Sequence, residues 1–238
     1  MSPTILITGG ARRIGRHISI SLAEAGYDIV LLHGHSDDEA DQVSDEIRSF
    51  GRNCYVIKID LDDSRSIDAQ LASIPESINL TGLINNAAVF EPLSFEATTL
   101  NSWERHLRIN LTAPFILSKW FYERLHPDSE GRIINILDWR ALRPGNDHFP
   151  YTISKAALAA MTKSLAVSLA PRVTVNSIAF GAILPPSDGS PTEKMLINVP
   201  LERAANLEEV TQTIRFLLEG PGYITGEIIH LDGGRHLI

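Results

Sequence analysis

The sequence predicts a single-domain α/β fold in which a parallel β-sheet is covered by helices on both faces. Three observations support this prediction. Short apolar runs alternate with stretches of helical periodicity, the runs are almost continuously apolar, and a glycine-rich turn joins the first run to the first helix. Strands that are buried on both faces and separated by helices are typical of a doubly wound, Rossmann-like sheet.

The predicted elements alternate along the whole chain. Strands are expected at 4–8, 28–32, 54–59, 80–85, 132–137, 172–178 and 227–231. Helices are expected at 13–25, 64–74, 102–125, 152–170 and 207–218. One more helix is expected to open at a capping box of Ser36 and Glu39 and to stop at Gly51. Its apolar face carries Ala40, Val43, Ile47 and Phe50. Since no linker, repeat or low-complexity segment interrupts this order, residues 1–238 are assigned to one domain.

Composition limits the possible functions. A chain of 238 residues, 44% of them hydrophobic, can bury a full core. The net charge of −8 argues against a surface for nucleic acids or anionic membranes. Since no apolar run reaches the roughly 18 to 20 residues of a membrane span, we expect a cytoplasmic protein. The single cysteine, Cys54, excludes an internal disulfide, and no His/Cys spacing predicts a metal site.

A glycine-rich segment from Thr8 to Gly15, TGGARRIG, joins the first predicted strand to the first helix. Small residues let the backbone approach a pyrophosphate, whose charge is favoured by the helix N-terminus. At this place in an alternating chain, such a turn predicts a dinucleotide site.

A second pattern lies at the other end of the predicted sheet. Tyr151 and Lys155 are one helical turn apart, so their side chains share a face. We expect the ammonium of Lys155 to lower the pKa of Tyr151. Asp138 ends the preceding strand. An ionised carboxylate accepts hydrogen bonds and repels a developing alkoxide, so Asp138 suits a substrate with N–H donors or a ring nitrogen to be protonated.

Together these motifs resemble the classical short-chain dehydrogenase/reductase family from Ile5 to Gly234. Arg13 replaces the middle glycine of the family turn, Asn85-Asn86-Ala87 matches its Asn-Asn-Ala element, and the run 176–181 is similar to its Asn-x-Val-x-Pro-Gly. The resemblance implies a catalytic set in which Tyr151 donates a proton, Lys155 holds the nicotinamide ribose and Asn110 holds a relay water. The fourth member is Asp138, where most of the family has serine.

The resemblance also implies the residues that bind a nicotinamide cofactor. They are Gly9, Arg12, Arg13, Ile14, Gly15, His35, Ser36, Asp60, Leu61, Asn86, Ala87, Tyr151, Lys155 and Gly181. The second strand lacks the terminal acid that usually holds the ribose of NAD. We therefore favour NADP(H) over NAD and expect Arg13, with Arg12, to meet the 2′-phosphate, aided by Ser36 or His35. At least one of Arg12 and Arg16 is expected to be only a solvated charge.

Asp138, Arg13, the run HGHS at 33–36 and the ending LDGGRHL together resemble the pteridine reductases, and among them the bacterial dihydromonapterin reductases. That branch implies a homotetramer that reduces a pterin with NADPH, at a C=N bond of dihydromonapterin, dihydrobiopterin or a dihydrofolate-like compound. The implied substrate contacts are Phe90, Asp138, Tyr151 and Phe180. Phe90 would stack on the pterin unless it only packs in the core, and Phe180 would cap the pocket.

Several alternatives stay open. A carbonyl reductase of the 3-oxoacyl or sugar-alcohol kind is opposed by Asp138, and a nucleotide-binding sensor or scaffold without turnover is opposed by the intact catalytic set. The proline-rich loop at 184–191 is a candidate lid. His148, which lies close before Tyr151, either lines the pocket or, as we expect, belongs to a surface loop. Arg235 and His236 either reach a neighbouring active site in a tetramer or belong to a frayed tail.

Overall fold

The computed structural model describes residues 2–185 and 195–238, and it has the predicted doubly wound architecture. Within these residues one parallel sheet contains β1 (Pro3–Thr8), β2 (Asp28–His33), β3 (Cys54–Lys58), β4 (Asn79–Asn85), β5 (Gly131–Asp138), β6 (Val173–Phe180) and β7 (Ile228–Leu231). The strand order is β3-β2-β1-β4-β5-β6-β7. The order reverses between β1 and β4, and ligands of such sheets bind beside this point at the carboxyl ends of the strands.

Helices cover both faces of the sheet. The described helices are α1 (Arg13–Glu24), α2 (Asp37–Ser49), α3 (Ile67–Leu71), α4 (Leu100–Leu107), α5 (Ala113–Arg124), α6 (Phe149–Ser168) and α7 (Leu207–Glu219). The sheet separates two main apolar clusters. One lies under α1, α2 and α7 and includes Ile18 and Ile214, and the other lies under α3 and α5 and includes Phe121. Cys54 is a buried free thiol in β3.

The start of α2 differs from the prediction. Ser36 is the N-cap residue, but its side chain makes no capping hydrogen bond, so the expected capping box does not form. Glu39 instead lies 3.5 Å from the guanidinium of Arg12. Phe50 follows the helix and is 40% exposed, so it is not part of the buried face. The predicted helix at 64–74 is also shorter, since only α3 is helical there.

The predicted long helix at 102–125 is divided into three parts. α4 begins at a capping box in which the Thr99 hydroxyl accepts from the Ser102 amide at 3.2 Å and the Ser102 hydroxyl accepts from the Thr99 amide at 3.0 Å. A π-helical turn, Arg108–Thr112, then separates α4 from α5. Such turns are frequent at functional sites, and this one carries Asn110.

Two further properties concern residues 2–185 and 195–238. None of their helices combines the length and the apolarity that crossing a bilayer requires. In the same part of the chain, no group of three or more His, Cys, Asp or Glu side chains is placed to hold a metal ion.

Candidate active site

The turn between β1 and α1 is shaped by glycines. Gly9 has a φ of +62°, and a Cβ on Gly15 would lie only 2.0 Å from the carbonyl oxygen of Gly9. The Ser19 hydroxyl donates to the carbonyls of Gly10 and Gly15 at 3.1 and 3.0 Å. The result is a concave stretch of backbone at the N-terminus of α1, which fits the pyrophosphate of a dinucleotide.

Asn86 and Ala87 brace this turn from β4. The Asn86 side-chain amide donates to the carbonyls of Thr8 and Gly9 at 2.9 and 3.3 Å. The backbone amides of Asn86 and Ala87 both donate to the Thr8 hydroxyl at 2.9 Å. The polar groups of these two predicted cofactor residues therefore hold the turn in shape.

The two arginines of the turn point to different parts of the site. Arg13 has a φ of +51°, which explains why the family places a glycine here, and its guanidinium donates to the carbonyl of Pro185 beyond β6 at 3.0 Å. Arg12 instead approaches Glu39 in the first turn of α2, beside the end of β2. The 2′-phosphate of NADP is expected at that strand end. Arg12 therefore lies beside this strand end, while the contact of Arg13 with the 2′-phosphate stays a prediction.

The remaining predicted cofactor residues lie along the carboxyl edge of the sheet. His35 is exposed and Ser36 is half-buried after β2, while Ile14 packs against the core from α1. Beyond β3, the Asp60 carboxylate accepts from the Asp62 amide at 2.9 Å and so shapes the turn. Leu61 packs against the core below it.

The end of β6 is buried. Phe180 is 6% exposed and packs in the apolar cluster under α1, and a role in capping the substrate pocket stays a prediction. A Cβ on Gly181 would lie 2.6 Å from the Cα of Asp232. Close packing against the C-terminal segment therefore accounts for the glycine at this position.

Asp138, Tyr151 and Lys155 come together at the end of β5. The Asp138 carboxylate accepts from the amide of Arg140 at 2.8 Å, and Oδ1 lies 3.6 Å from the Arg140 guanidinium. Tyr151 and Lys155 lie on α6 and are 6% and 2% exposed. The Lys155 ammonium donates to the carbonyl of Ile136 at 2.7 Å and lies 5.9 Å from the Tyr151 ring centroid.

Burial has the largest effect on the pKa values of Asp138, Tyr151 and Lys155. It raises the pKa of Asp138, against the opposing charges of Arg140 and Lys155. Burial also raises the pKa of Tyr151 well above its usual value, and the Asp138 charge raises it further. The pKa of Lys155 is lowered to about 8 by burial. The expectation that Lys155 lowers the pKa of Tyr151 is thus wrong, and burial shifts the pKa values of Asp138 and Tyr151 in the same direction, upward.

Asn110 clamps the loop that follows β4. Its side-chain carbonyl accepts from the Val89 amide at 2.9 Å, and its amide donates to the Val89 carbonyl and to the Ser154 hydroxyl, both at 3.0 Å. Both polar atoms of the Asn110 side chain are therefore engaged with the protein, and its predicted role of holding a relay water stays a prediction.

Phe90 lies at the catalytic tyrosine rather than in the core. Its ring is 51% exposed, meets Tyr151 edge-on with centroids 4.6 Å apart, and stacks on His148 at 4.1 Å. His148 is therefore part of the site, and the expectation of a surface loop is wrong. Its Nδ1 lies 2.9 Å from the Asp147 carboxylate, and its φ of +50° places it in the left-handed region just before Tyr151.

Sequence reasoning missed Arg140. Its guanidinium pairs with Asp147 at 2.9 Å and lies 4.7 Å from the Trp139 ring centroid and 5.7 Å from that of Phe90. Its position two residues after Asp138 was the available signal. Arg140 therefore contacts both carboxylates, of Asp138 and Asp147, and both aromatic rings, of Trp139 and Phe90.

The C-terminal turn lies against its own chain. The Arg235 guanidinium lies 4.2 Å from the centroid of the Trp139 ring and donates to the carbonyl of Met195 at 2.8 Å. His236 is held by Asp232, whose carboxylate accepts from its backbone amide at 2.9 Å. The frayed-tail alternative is therefore wrong, and Arg235 contacts the site of its own subunit. The predicted lid at 184–191 lies outside the described residues from 186 onward.

A doubly wound sheet with a glycine cradle at its switch point and a Tyr–Lys pair at the end of β5 defines an oxidoreductase of the dinucleotide-binding class. A family profile described as enoyl-(acyl carrier protein) reductase matches residues 9–236. The 3-oxoacyl-(acyl-carrier-protein) reductase FabG of Aggregatibacter actinomycetemcomitans is 34% identical, over 98% of this chain and 99% of that protein. The chain therefore belongs to the short-chain dehydrogenase/reductase family.

Solved structures agree with this assignment. FolM alternative dihydrofolate reductase 1 from Brucella canis, complexed with NADP, superposes with a TM-score of 0.89 and 37% identity, over 99% of this chain and 94% of that chain. A blue fluorescent protein from a metagenomic library, in complex with NADPH, superposes with a TM-score of 0.87 and 30% identity, over 98% and 97% of the two chains. Both of these structures contain NADP or NADPH, which confirms the prediction that the cofactor is NADP(H).

Proposed function

We propose that this protein is an NADPH-dependent reductase that converts a C=N bond of a pterin to the tetrahydro form. The observation that supports this function most directly is Asp138, a carboxylic acid beside Tyr151 at a position where most of the family has serine. The exposed ring of Phe90 lies against the same tyrosine. A proton donor for a ring nitrogen and a surface for a flat heterocycle are thus adjacent.

The cofactor site is built from residues on both sides of the switch point. The backbone of the turn from Gly9 to Gly15 would hold the pyrophosphate, Arg12 the 2′-phosphate, and Lys155 the nicotinamide ribose. When bound, NADPH supplies the hydride for the reduction. The buried Lys155 is held by the Ile136 carbonyl, so its ammonium has a fixed direction before any cofactor arrives.

The proton comes from Asp138 and Tyr151. One hydride and one proton saturate a C=N bond, the hydride at carbon and the proton at nitrogen. Because burial raises the pKa of both acids, each stays protonated at a higher pH than the free side chain would. Once Asp138 has given up its proton, its carboxylate can accept from the new N–H group, whereas an Asp138 that starts ionised would oppose the charge of an alkoxide.

Phe90 and His148 define how a flat substrate would enter. One face of the Phe90 ring is covered by His148, at an interplanar angle of 12°. A pterin therefore either displaces the imidazole or lies on the other side of the pocket with His148 as part of its wall. The Asp147 carboxylate, 2.9 Å from the imidazole Nδ1, favours the second arrangement, in which the imidazole keeps its place.

A second candidate is reduction of a 3-oxoacyl thioester. The FabG relative favours it, because its name is that of a 3-oxoacyl-(acyl-carrier-protein) reductase. Asp138 opposes it for the reason given above. The name of the FolM relative, an alternative dihydrofolate reductase, instead supports the pterin function.

The test is NADPH oxidation with dihydromonapterin, dihydrobiopterin, dihydrofolate and an acetoacetyl thioester, with NADH as the cofactor control. We expect turnover of a pterin with NADPH, and a rate that falls as pH rises through the raised pKa of Asp138. Asp138→Ser should lose about 100-fold or more in pterin turnover, as expected for loss of a general acid, and should gain ketone reduction. Undiminished pterin turnover in this variant would refute the role of Asp138. Turnover of the thioester alone would favour the second candidate, and binding of NADPH without any turnover would favour a sensor.

A further inference from the structure

Two guanidinium groups lie over the indole of Trp139, the residue that directly follows Asp138. Those of Arg140 and Arg235 lie 4.7 and 4.2 Å from the ring centroid. Arg140 comes from the short turn after β5 and Arg235 from the C-terminal turn, so residues nearly one hundred positions apart meet on one aromatic ring. Such cation–π contacts hold a guanidinium in a defined place.

The charges of the two guanidinium groups are balanced differently. Arg140 is paired with the carboxylates of Asp147 and Asp138. Arg235 donates to a neutral carbonyl, that of Met195, and its own carbonyl accepts from Arg143 at 3.1 Å. Among residues 2–185 and 195–238, neither Arg143 nor Arg235 forms an ion pair with a carboxylate.

The acid closest in sequence to Arg235 is not available to it. Asp232 accepts from the backbone amides of Gly234 and His236, at 3.0 and 2.9 Å, and from the imidazole of His236. The charges of Asp138, Asp147 and Asp232 all act on Arg235, but Asp232 is engaged with its own turn and Asp147 is paired with Arg140. Burial, followed by the charge of Arg140, lowers the pKa of Arg235 against these opposing charges, so a directly bound anion would stabilise its charged form.

We propose that Arg235, held over Trp139 next to Asp138, and Arg143, whose guanidinium binds the Arg235 carbonyl, bind a carboxylate on the side chain of the substrate. A guanidinium on a fixed support binds a carboxylate through paired, directed hydrogen bonds. Trp139 directly follows Asp138 and supports Arg235, so it links this subsite to the acid. The inference rests on the proposed function and narrows it to pterins whose side chain ends in an acid, in preference to those with a neutral polyol side chain.

The test compares two substrates in variants of Arg235. Dihydrofolate carries carboxylates on its side chain, and dihydrobiopterin is neutral. In Arg235→Gln we expect kcat/KM for dihydrofolate to fall about 10- to 100-fold, mostly through KM, since one charge-assisted contact is lost. The change for dihydrobiopterin should be much smaller. Arg235→Lys keeps the charge and should recover part of the loss, and Arg143→Gln should act in the same direction.

Salt gives a second measurement. KM for dihydrofolate should rise with ionic strength in the wild-type protein, because screening weakens the ion pair, and should rise less in Arg235→Gln. Arg65→Gln also removes one positive charge, at an exposed position far from Arg235 in the sequence, and is the matched control.

The outcomes separate this inference from the proposed function. Equal loss with both substrates in Arg235→Gln, with no recovery in Arg235→Lys, would assign a purely structural role and overturn the subsite. Unchanged kinetics with both substrates would overturn it as well. If neither pterin is reduced, the proposed function fails. Binding of dihydrofolate, followed by tryptophan fluorescence, would then still support the subsite if Arg235→Gln weakens it, and would refute it otherwise.

Discussion

At the scale of the residue, the same type of side chain acquires different properties from its surroundings. Asp138 and Asp147 both contact Arg140, yet burial raises the pKa of Asp138, whereas the hydrogen bond and charge of Arg140 help to lower the pKa of Asp147 to about 2. Asp138 is thus suited to carry a proton, and Asp147 to orient Arg140 and His148 as an anion. The sequence places both acids but does not distinguish them, because their burial depends on how β5 and α6 pack.

Lys155 illustrates the energetic cost of such a site. Its pKa is about 8 in the fold and near 10.5 for a free lysine, so the unfolded chain binds more protons between these values and stability rises with pH across that window. Below pH 8 the buried ammonium costs the full difference, about 3 kcal/mol. Lys155→Met removes this cost but leaves the Ile136 carbonyl without its donor, a loss of about 1–3 kcal/mol.

We therefore expect Lys155→Met to abolish turnover while leaving the free energy of unfolding at pH 7 unchanged or raised, by up to about 2 kcal/mol. The advantage over wild type should disappear near pH 10. Urea unfolding at both pH values measures this, and Lys163→Met, at an exposed position of the same helix, is the control. Equal destabilisation at pH 7 and pH 10 would contradict the assigned cost.

At the scale of the element, the sequence predicts the turn from β1 to α1 but does not predict the π-helical turn. The glycines of the first turn predict a cradle, since a Cβ on Gly15 has no room. The π-helical turn carries no such signal, because the apolar period continues from α4 into α5. Its effect is to place Asn110 where it clamps Val89 to Ser154, so this residue appears in the structure as a brace.

The divergence of Arg12 and Arg13 leads to a prediction about the cofactor. Arg12→Ala should raise KM for NADPH about 10-fold with little change for NADH, since one contact to a phosphate is lost. Arg13→Ala should change the ratio of the two KM values much less, because this guanidinium reaches Pro185. Steady-state kinetics with both cofactors measures the ratio, with Arg16→Ala as control, since Arg16 pairs with Glu46. A larger effect from Arg13 would favour the expectation made from the sequence.

At the scale of the whole molecule, the C-terminal segment completes the site. β7 joins the edge of the sheet beside β6, and the turn after it returns to Trp139. This return depends on close contact between Gly181 and Asp232, whose carboxylate in turn holds the backbone of Gly234 and His236. The contact between Gly181 and Asp232 therefore helps to position Arg235.

Gly181→Ala tests this dependence. The new Cβ would lie 2.6 Å from a backbone atom, so we expect a loss of about 1–3 kcal/mol in the free energy of unfolding, together with weaker binding of the substrate. Gly34→Ala is the control, since the nearest atom to its Cβ would be 3.8 Å away and the change should be nearly neutral. Chemical denaturation of both variants gives the comparison. Equal stability of the two would show that the C-terminal segment can shift at little cost.

The sequence by itself determined the doubly wound sheet, the glycine cradle and the set of Asp138, Tyr151 and Lys155, because hydrophobic periodicity, turn chemistry and helical spacing are local properties. Tertiary structure decided which arginine faces the end of β2, that Phe180 is core and Phe90 is pocket, and that Arg140 and Arg235 meet on Trp139. It also decided that the pKa values of Asp138 and Tyr151 are raised. Burial and contacts between distant residues depend on how strands and helices pack together, and no local pattern encodes them.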